Sequence, residues 1–392
     1  MPTSTTQIDS APDCDIFCAV IDNYGDIGVC WRLARQLAKE HGLHVRLWVD
    51  QLSTFQVLCP AVQTQSTKQR IENIDIRLWP QQDSAELFSN ITPASLVIEA
   101  FACRIPEAFI ARMAQSTPPP VWINLEYLSA EDWVATCHRL PSPQPQLSLV
   151  KYFFFPGFTP ETGGLLRENS LLSERQKFLE QPGAQNEFWR ALGVTTPPQN
   201  ALRVSLFSYE NAAIAQLLKA WETAEKPVYC LLPPSRALPA VEAYYQQKLT
   251  AGDVIQRGAL ELHVIPFLEH KRYDQLLWAC DLNFVRGEDS FVRAQWAARP
   301  FVWHIYPQEE DAHRIKLDAF LQRYCAGLGE ETNAMLRTFW HSWNNTNHSK
   351  KLDWDALSAA LPKLTQHTKQ WLEQLAKTED LACQLVRFTR SH

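Results

Sequence analysis

The sequence predicts an α/β fold of two doubly wound domains. Short apolar strands alternate with helical stretches along most of the 392 residues, the pattern of parallel sheets covered by helices. The alternation occurs twice, in two series separated by an irregular stretch over 139–200 that carries Leu140-Pro141-Ser142-Pro143-Gln144-Pro145. In each series one strand runs directly into a glycine- and carboxylate-bearing turn that opens a helix. The length suits two domains, and an apolar content of 46% supplies two cores.

In the first series Ile16–Ile21 reads as a buried strand. The turn holds Asp22, Asn23, Tyr24, Gly25, Asp26 and Gly28, and from Ile27 the apolar spacing turns helical through Cys30, Ala34, Leu37 and Ala38. Strands are expected at Leu43–Val49, Ile74–Trp79, Leu96–Ala100 and Val121–Leu125, with helices at Asp50–Cys59 and Ile105–Gln115. The aromatic run Tyr152–Phe158 reads as a strand near the domain boundary, Glu174–Leu192 as one helix, and 185–200 as the linker. In the second series strands fall at Leu202–Phe207, Val228–Leu232, Leu262–Pro266, Leu282–Val285 and Phe301–His304. Helices fall at Ala212–Thr223, Leu238–Leu249, Tyr273–Cys280, up to Ala298, Glu309–Tyr324 and Thr332–Trp343; Leu352–Arg390 is helical with breaks. The expected domains are 1–185 and 186–369, with a helix over about 370–392 packing back on the first. Two doubly wound halves are expected to face each other across a cleft.

Composition excludes several classes. A net charge of −6 gives no nucleic-acid footprint. No apolar run reaches the roughly 18 residues of a membrane span, and residues 1–14 lack the basic and apolar regions of a signal peptide, so a cytoplasmic protein is expected. The ten cysteines are scattered, several within apolar strands, and read as reduced and buried. Neither their spacing nor any His-Glu-x-x-His pattern supports a metal site, and no metal or cofactor is expected. Walker, Gly-x-Gly-x-x-Gly and Gly-x-Ser-x-Gly patterns are absent.

Two stretches remain. In the first, Asp22 and Asp26 stand at a strand-to-helix turn, where they would repel a phosphate and suit a cation or a proton. Asp26 equally fits a helix N-cap. In the second, Arg286-Gly287-Glu288-Asp289-Ser290 follows a strand and opens a helix whose free N–H groups suit a phosphate; it equally fits a capped helix with an Arg–Glu surface pair. Phe207, Tyr209, Phe267 and Tyr273 lie near strand ends of the second series, where aromatic rings stack nucleobases or fill a core. His304 and Tyr306 follow the last strand.

At these stretches the chain resembles the EarP family, protein-arginine rhamnosyltransferases that modify bacterial elongation factor P. The resemblance is carried by Ile21-Asp22-Asn23-Tyr24-Gly25-Asp26-Ile27-Gly28-Val29 with Trp31-Arg32-Leu33-Ala34-Arg35, and by Leu47-Trp48-Val49-Asp50. Glu99-Ala100-Phe101-Ala102-Cys103 and Glu126-Tyr127-Leu128-Ser129-Ala130-Glu131 continue it. Arg286 to Gln295 and Trp303 to Gln308 complete it. It implies a GT-B glycosyltransferase of two Rossmann-like domains, with dTDP-β-L-rhamnose as donor, one arginine of elongation factor P as acceptor, and inversion at the anomeric carbon. It further implies that Asp26 is the base, that Asp22 assists and that Glu288 is needed for activity. Tyr24, Gly25, Phe207, Tyr209, Phe267, His270, Tyr273, Arg286, Asp289, Ser290 and Tyr306 fall to the donor site; His270 departs from the family pattern. The other readings are a GT-B enzyme using a UDP-sugar and a small acceptor, and a nucleotide-binding module without chemistry.

Overall fold

The apolar run near the start of the chain becomes the central strand of a sheet. The computed structural model describes residues 12–21, 24–79, 85–308, 312–345 and 351–392, and the chain divides into two units, Met1–Leu166 with Glu379–His392, and Arg167–Thr378.

The first unit holds strands β1 (Cys14–Cys18), β2 (Val45–Val49), β3 (Lys68–Ile71), β4 (Ile74–Leu78), β5 (Leu96–Ala100), β6 (Val121–Leu125), β7 (Pro141–Gln144) and β8 (Leu149–Phe154). Their order is β3-β4-β2-β1-β5-β6-β8-β7. The six inner strands are parallel, and β3 and β7 close the edges as antiparallel hairpin partners. Ile16 sits between Leu47 and Ile98 in register. The order reverses at β1, so a crevice opens at the carboxyl ends of β1 and β5, the usual ligand position in such sheets. One face is filled by Phe17, stacked on Trp48 at 5.5 Å and set edge-on to Phe109 at 4.8 Å. Asp15 lies wholly buried among these strands. It accepts from Arg46 Nε and Nη2 at 2.6 and 2.8 Å, from Trp48 Nε1 at 2.8 Å and from Ala94 N at 2.9 Å.

The second unit holds β9 (Leu202–Leu206), β10 (Val228–Leu232), β11 (Val254–Arg257), β12 (Leu260–Val264), β13 (Leu282–Arg286) and β14 (Phe301–His304), in the order β11-β12-β10-β9-β13-β14. All pairings but β11–β12 are parallel. Here the order reverses at β9, between β10 and β13.

Several boundaries differ from those the sequence predicts. β1 ends at Cys18 rather than Ile21 because the next amides leave the ladder: Val20 N donates to Asp50 Oδ1 at 2.9 Å and Ile21 N to Asp26 Oδ2 at 2.8 Å. The expected helix over 174–192 is two helices, Leu171–Glu180 and Ala184–Ala191, broken at Gly183 with φ of +84°. The units divide after Leu166, not at 185. The reason is packing: Phe178 meets Trp278 at 5.7 Å, and Arg175 Nε donates to Ala297 O at 2.7 Å, which ties the first of these helices to the second unit. The hairpin strands β3, β7 and β11 were not legible as strands. The helix expected from Glu309 is described from Ala312 to Tyr324, and residues 309–311 lie outside the described residues.

The C-terminal stretch is two helices, Trp354–Leu375 and Leu381–Arg390. Only Glu379–His392 belongs to the first unit, a later start than residue 370. Asp380 caps the last helix by accepting from Ala382 N and Cys383 N, and it also accepts from Gln36 Nε2 on the helix Gly25–His41 at 3.0 Å. Leu381 N donates to Leu165 O at 3.0 Å. Beside this junction Gly164 has φ of +71°, and a Cβ there would lie 2.4 Å from Glu379 O. Gly193 has a similar φ of +73° but open space around it. Gly193→Ala should therefore cost about 1 kcal/mol from left-handed strain alone, and Gly164→Ala about 3 kcal/mol, because backbone must also move. Urea unfolding of the two variants measures the difference; equal losses would mean that the Gly164 turn accommodates a methyl group.

Candidate active site

In the first unit, Gly25–His41 forms a helix because Ile27, Cys30, Leu33, Ala34 and Leu37 bury one stripe, and Gly42 ends it in the left-handed region at φ of +69°. Tyr24 is its N-cap residue and makes no side-chain cap bond. Asp26 is the second helical residue and does not cap the helix. Its carboxylate reaches back instead: Oδ2 accepts from Ile21 N at 2.8 Å and Oδ1 from Tyr127 Oη at 3.2 Å. Asp26 is 2% exposed, and the helix N-terminus favours its negative charge. Tyr24 and Gly25 are half-buried beside it. Asp22 lies outside the described residues.

Tyr127 follows β6, and its ring lies flat against Phe101 after β5, with centroids 4.5 Å apart and planes 18° apart. Phe101 and Ala102 have φ of +56° and +52°, rare for residues with side chains. The Phe101 amide donates to Leu125 O at 2.7 Å, which pins this turn to β6. Three strand ends thus converge on Asp26.

In the second unit the turn after β13 carries the expected residues. Gly287 has φ of +58°, Glu288 is the N-cap residue of the helix Asp289–Ala297, and its side chain makes no cap bond. Ser290 Oγ accepts from Arg286 N at 3.0 Å and donates to Arg286 O, so it clasps the turn. Arg286 is 6% exposed, not a surface residue. Its guanidinium lies 4.6 Å from the Phe207 ring and 4.7 Å from the Tyr209 ring, a paired cation–π contact. Phe207 meets Tyr273 at 5.6 Å, and Tyr209 meets His304 and Tyr306 at 5.4 and 5.5 Å. Burial pushes the Tyr273 hydroxyl pKa up. Asp289 bonds Arg293 Nε at 2.8 Å and lies 3.8 Å from His270 Nε2. Arg293 also donates to Asp274 at 2.8 Å. Its burial opposes the charge, but these two carboxylates more than offset that and raise its pKa. Phe267 is half-buried in the loop before the helix His270–Ala279.

The structure therefore gathers Phe207, Tyr209, Tyr273, Arg286, Ser290 and Tyr306 around one turn, and links Asp289 to His270 through their own contact. The contact of Tyr127 with Asp26, and the Asp274–Arg293–Asp289 chain, were not read from the sequence. Tyr127 stood only within a motif; its hydroxyl meets Asp26 through pairing of strands far apart in the chain. Among the described residues no group of three or more His, Cys, Asp or Glu is placed to hold a metal ion, and no helix is long and apolar enough to cross a membrane.

Two doubly wound units, each with its polar turns at the carboxyl ends of its strands, define a GT-B glycosyltransferase fold. Arabidopsis thaliana UGT89C1, solved with UDP-L-rhamnose, shares that fold at a TM-score of 0.52 and 11% identity, over 97% of this chain and 99% of that one. Residues 14–390 match the family model of the elongation-factor P (EF-P) rhamnosyltransferase EarP. A protein-arginine rhamnosyltransferase of Pseudomonas putida is 48% identical over 378 residues, 96% of this chain and 98% of that protein. A structure solved for EarP-mediated arginine glycosylation of translation elongation factor EF-P aligns at a TM-score of 0.66 and 35% identity, over 96% of this chain and 98% of that one. The chain belongs to the EarP family of EF-P rhamnosyltransferases.

His304 gives a pH signature. Burial first, then the charge of Arg286 and His313, push its pKa down to about 3, and its Nδ1 has no hydrogen-bond partner. The native imidazole stays neutral while the unfolded chain takes up a proton below about 6.5. Its contribution to stability is complete above that pH and is lost as pH falls towards 3, by up to about 1.4 kcal/mol per pH unit. Between pH 7 and 5 the protein should lose about 2 kcal/mol more than its His304→Phe variant in denaturant unfolding; parallel losses would mean that His304 titrates normally.

Proposed function

We propose that this chain transfers L-rhamnose from dTDP-β-L-rhamnose to an arginine side chain of elongation factor P, with inversion at the anomeric carbon. The observation that supports it most is Asp26, a buried carboxylate oriented by two donors at the strand edge where α/β sheets bind ligands. The acceptor is a guanidinium, protonated at any physiological pH with a pKa above about 12, and its lone pairs are delocalised. Charge-assisted bonds from Asp26, with Asp22 assisting, would hold and orient it. As the arginine nitrogen forms its bond to the anomeric carbon, Asp26 takes the nitrogen's proton. The bond from that carbon to the diphosphate oxygen breaks, and dTDP leaves with the electron pair.

In this reading the second unit binds the donor. The N–H groups at the start of the helix Asp289–Ala297 and the Arg286 guanidinium receive the diphosphate. The base stacks on the Phe207 and Tyr209 rings, and Arg286 exchanges its ring contacts for phosphate. Glu288 accepts hydrogen bonds from sugar hydroxyls. Tyr24, Gly25, Phe267, His270, Tyr273, Asp289 and Tyr306 complete the donor surroundings. These cations and N–H groups carry the leaving-group charge, so the reaction as written needs no metal or cofactor. In this reading the partner is a translation factor, and the reaction is cytoplasmic.

Intact mass of elongation factor P after incubation with dTDP-rhamnose and the protein tests the reading: one deoxyhexose on an arginine is expected. No added mass with dTDP-rhamnose, together with tighter binding of UDP than of dTDP, would overturn it in favour of a UDP-sugar enzyme. Asp26→Asn should keep its dTDP affinity and lose about 10²- to 10⁴-fold in turnover; near-normal turnover removes Asp26 from the base role. Arg286→Ala and Ser290→Ala should each weaken dTDP binding in titration calorimetry, the first by about tenfold or more through lost charge, the second through the unclasped turn. Unchanged affinity in both would move the nucleotide elsewhere.

A further inference from the structure

We infer that Tyr127 is a positioning residue for the reaction: through its hydroxyl it fixes the orientation and basicity of Asp26, and the strained Phe101 turn exists to hold the Tyr127 ring in place. The inference rests on the reading of Asp26 as the base. Three observations lead to it. The Tyr127 hydroxyl donates to Asp26 Oδ1 at 3.2 Å while the Ile21 amide occupies Oδ2 at 2.8 Å, so both oxygens are fixed and the carboxylate plane is set. The Tyr127 ring cannot swing freely, since Phe101 lies flat against it at 4.5 Å. Phe101 is 5% exposed and holds a φ of +56°, with Ala102 and Arg104 also positive at +52° and +55°. Backbone strain of this kind persists where surrounding structure enforces it, and it gathers at functional sites. Here the enforcing contacts are the Phe101 N–H bond to Leu125 O and the ring stack itself.

The order of strands explains why the chain needs such a device. Asp26 follows β1, Phe101 follows β5 and Tyr127 follows β6, and β5 lies between the other two. A side chain from β6 reaches Asp26 only by passing over the end of β5, and the Phe101 ring is the platform it passes over. A hydroxyl bonded to a carboxylate stabilises the ionised form. The base is then charged, and ready to accept a proton, at lower pH than it would be without that bond. Among the described residues, titratable groups on the neighbouring segments have contacts of their own. From β1, the Cys18 thiol pKa is raised by its bond with Cys30 and by burial, with Asp26 and Asp50 adding to the rise, so it stays neutral. From the loop after β2, the Asp50 carboxylate is bonded to Val20 N at 2.9 Å. From the loop after β6, Glu126 is bonded to Asn124 Nδ2 at 2.5 Å.

The test is Tyr127→Phe, which keeps the ring and its stack on Phe101 and removes only the hydroxyl. The dependence of kcat on pH, with dTDP-rhamnose and elongation factor P saturating, should show its acid limb moved to higher pH by about one unit, the worth of one hydrogen bond to a charged group. The KM for dTDP-rhamnose should not change. An acid limb in the same place overturns the inference, even if the variant is less stable, because a purely structural tyrosine would not move it. A second measurement does not depend on sugar transfer. In protein carrying carbon-13 aspartate carboxyls, the Asp26 signal is identified by its loss in Asp26→Asn and titrated with and without the Tyr127 hydroxyl. An upward shift of its midpoint in Tyr127→Phe supports the inference, and an unchanged midpoint overturns it. Failure of the unaltered protein to add a deoxyhexose counts against the proposed function alone, since the carboxyl titration still decides the role of Tyr127.

Discussion

The buried Asp15 carboxylate fixes the strand from which the first unit is built. It carries a charge at a position without solvent exposure, and four donors satisfy it: two from Arg46, one from the Trp48 ring and one from the Ala94 backbone. An unpaired charge there would cost several kcal/mol, so β1 is held to β2 on one side and to the segment entering β5 on the other. A one-residue slip would turn Asp15 to the opposite face of the sheet, the apolar one of Cys14, Ile16 and Cys18, and lose every partner. The position of the β1 end, and of the amides that leave it for Asp50 and Asp26, follows from that lock.

The second unit handles charge differently. Among the described residues its buried arginines are Arg286, held against two aromatic rings, and Arg293, held between two carboxylates. The first contact is soft and exchangeable, because a ring face attracts a cation without demanding one geometry. The second is directional and doubly hydrogen-bonded. The two arginines flank the start of one short helix, so the movable positive charge and the fixed one lie seven residues apart. The fixed pair keeps the helix start in place, and in the proposed function the ring-held arginine is the one that meets the donor's diphosphate.

The parallel strands were legible because their apolar runs are short, buried on both faces and bounded by turns, as in Ile16 to Cys18, Val228–Leu232 and Leu282–Val285. The strands that escaped are edge hairpins of polar composition: Lys68–Ile71, Pro141–Gln144 and Val254–Arg257. Their pairing is set by the neighbouring strand and not by a pattern of their own, and two prolines in β7 argue against a strand altogether. The boundary was misplaced because a helix declares its apolar face but not its partner; that Phe178 packs on Trp278 is a tertiary fact. At the site, Asp26 and the Arg286 turn stood out as strand-to-helix turns of unusual charge, and the resemblance gave them roles. Which contact each side chain makes did not follow. Asp26 also fitted a cap, and it bonds backwards to Ile21 instead; Arg286 also fitted a surface pair, and it is buried on aromatic rings.

The first unit is assembled from two pieces of chain, with the whole of the second unit encoded between them. During synthesis the ribosome therefore completes the second unit before it emits the helix that finishes the first. Until then the face of the helix Gly25–His41 that receives Asp380 and its helix stays uncovered, and Leu165 O waits for the amide of Leu381. Nascent chains interrupted anywhere after Thr378 would carry a finished second unit attached to an unfinished first one. Quality control by proteolysis would then act on the first unit.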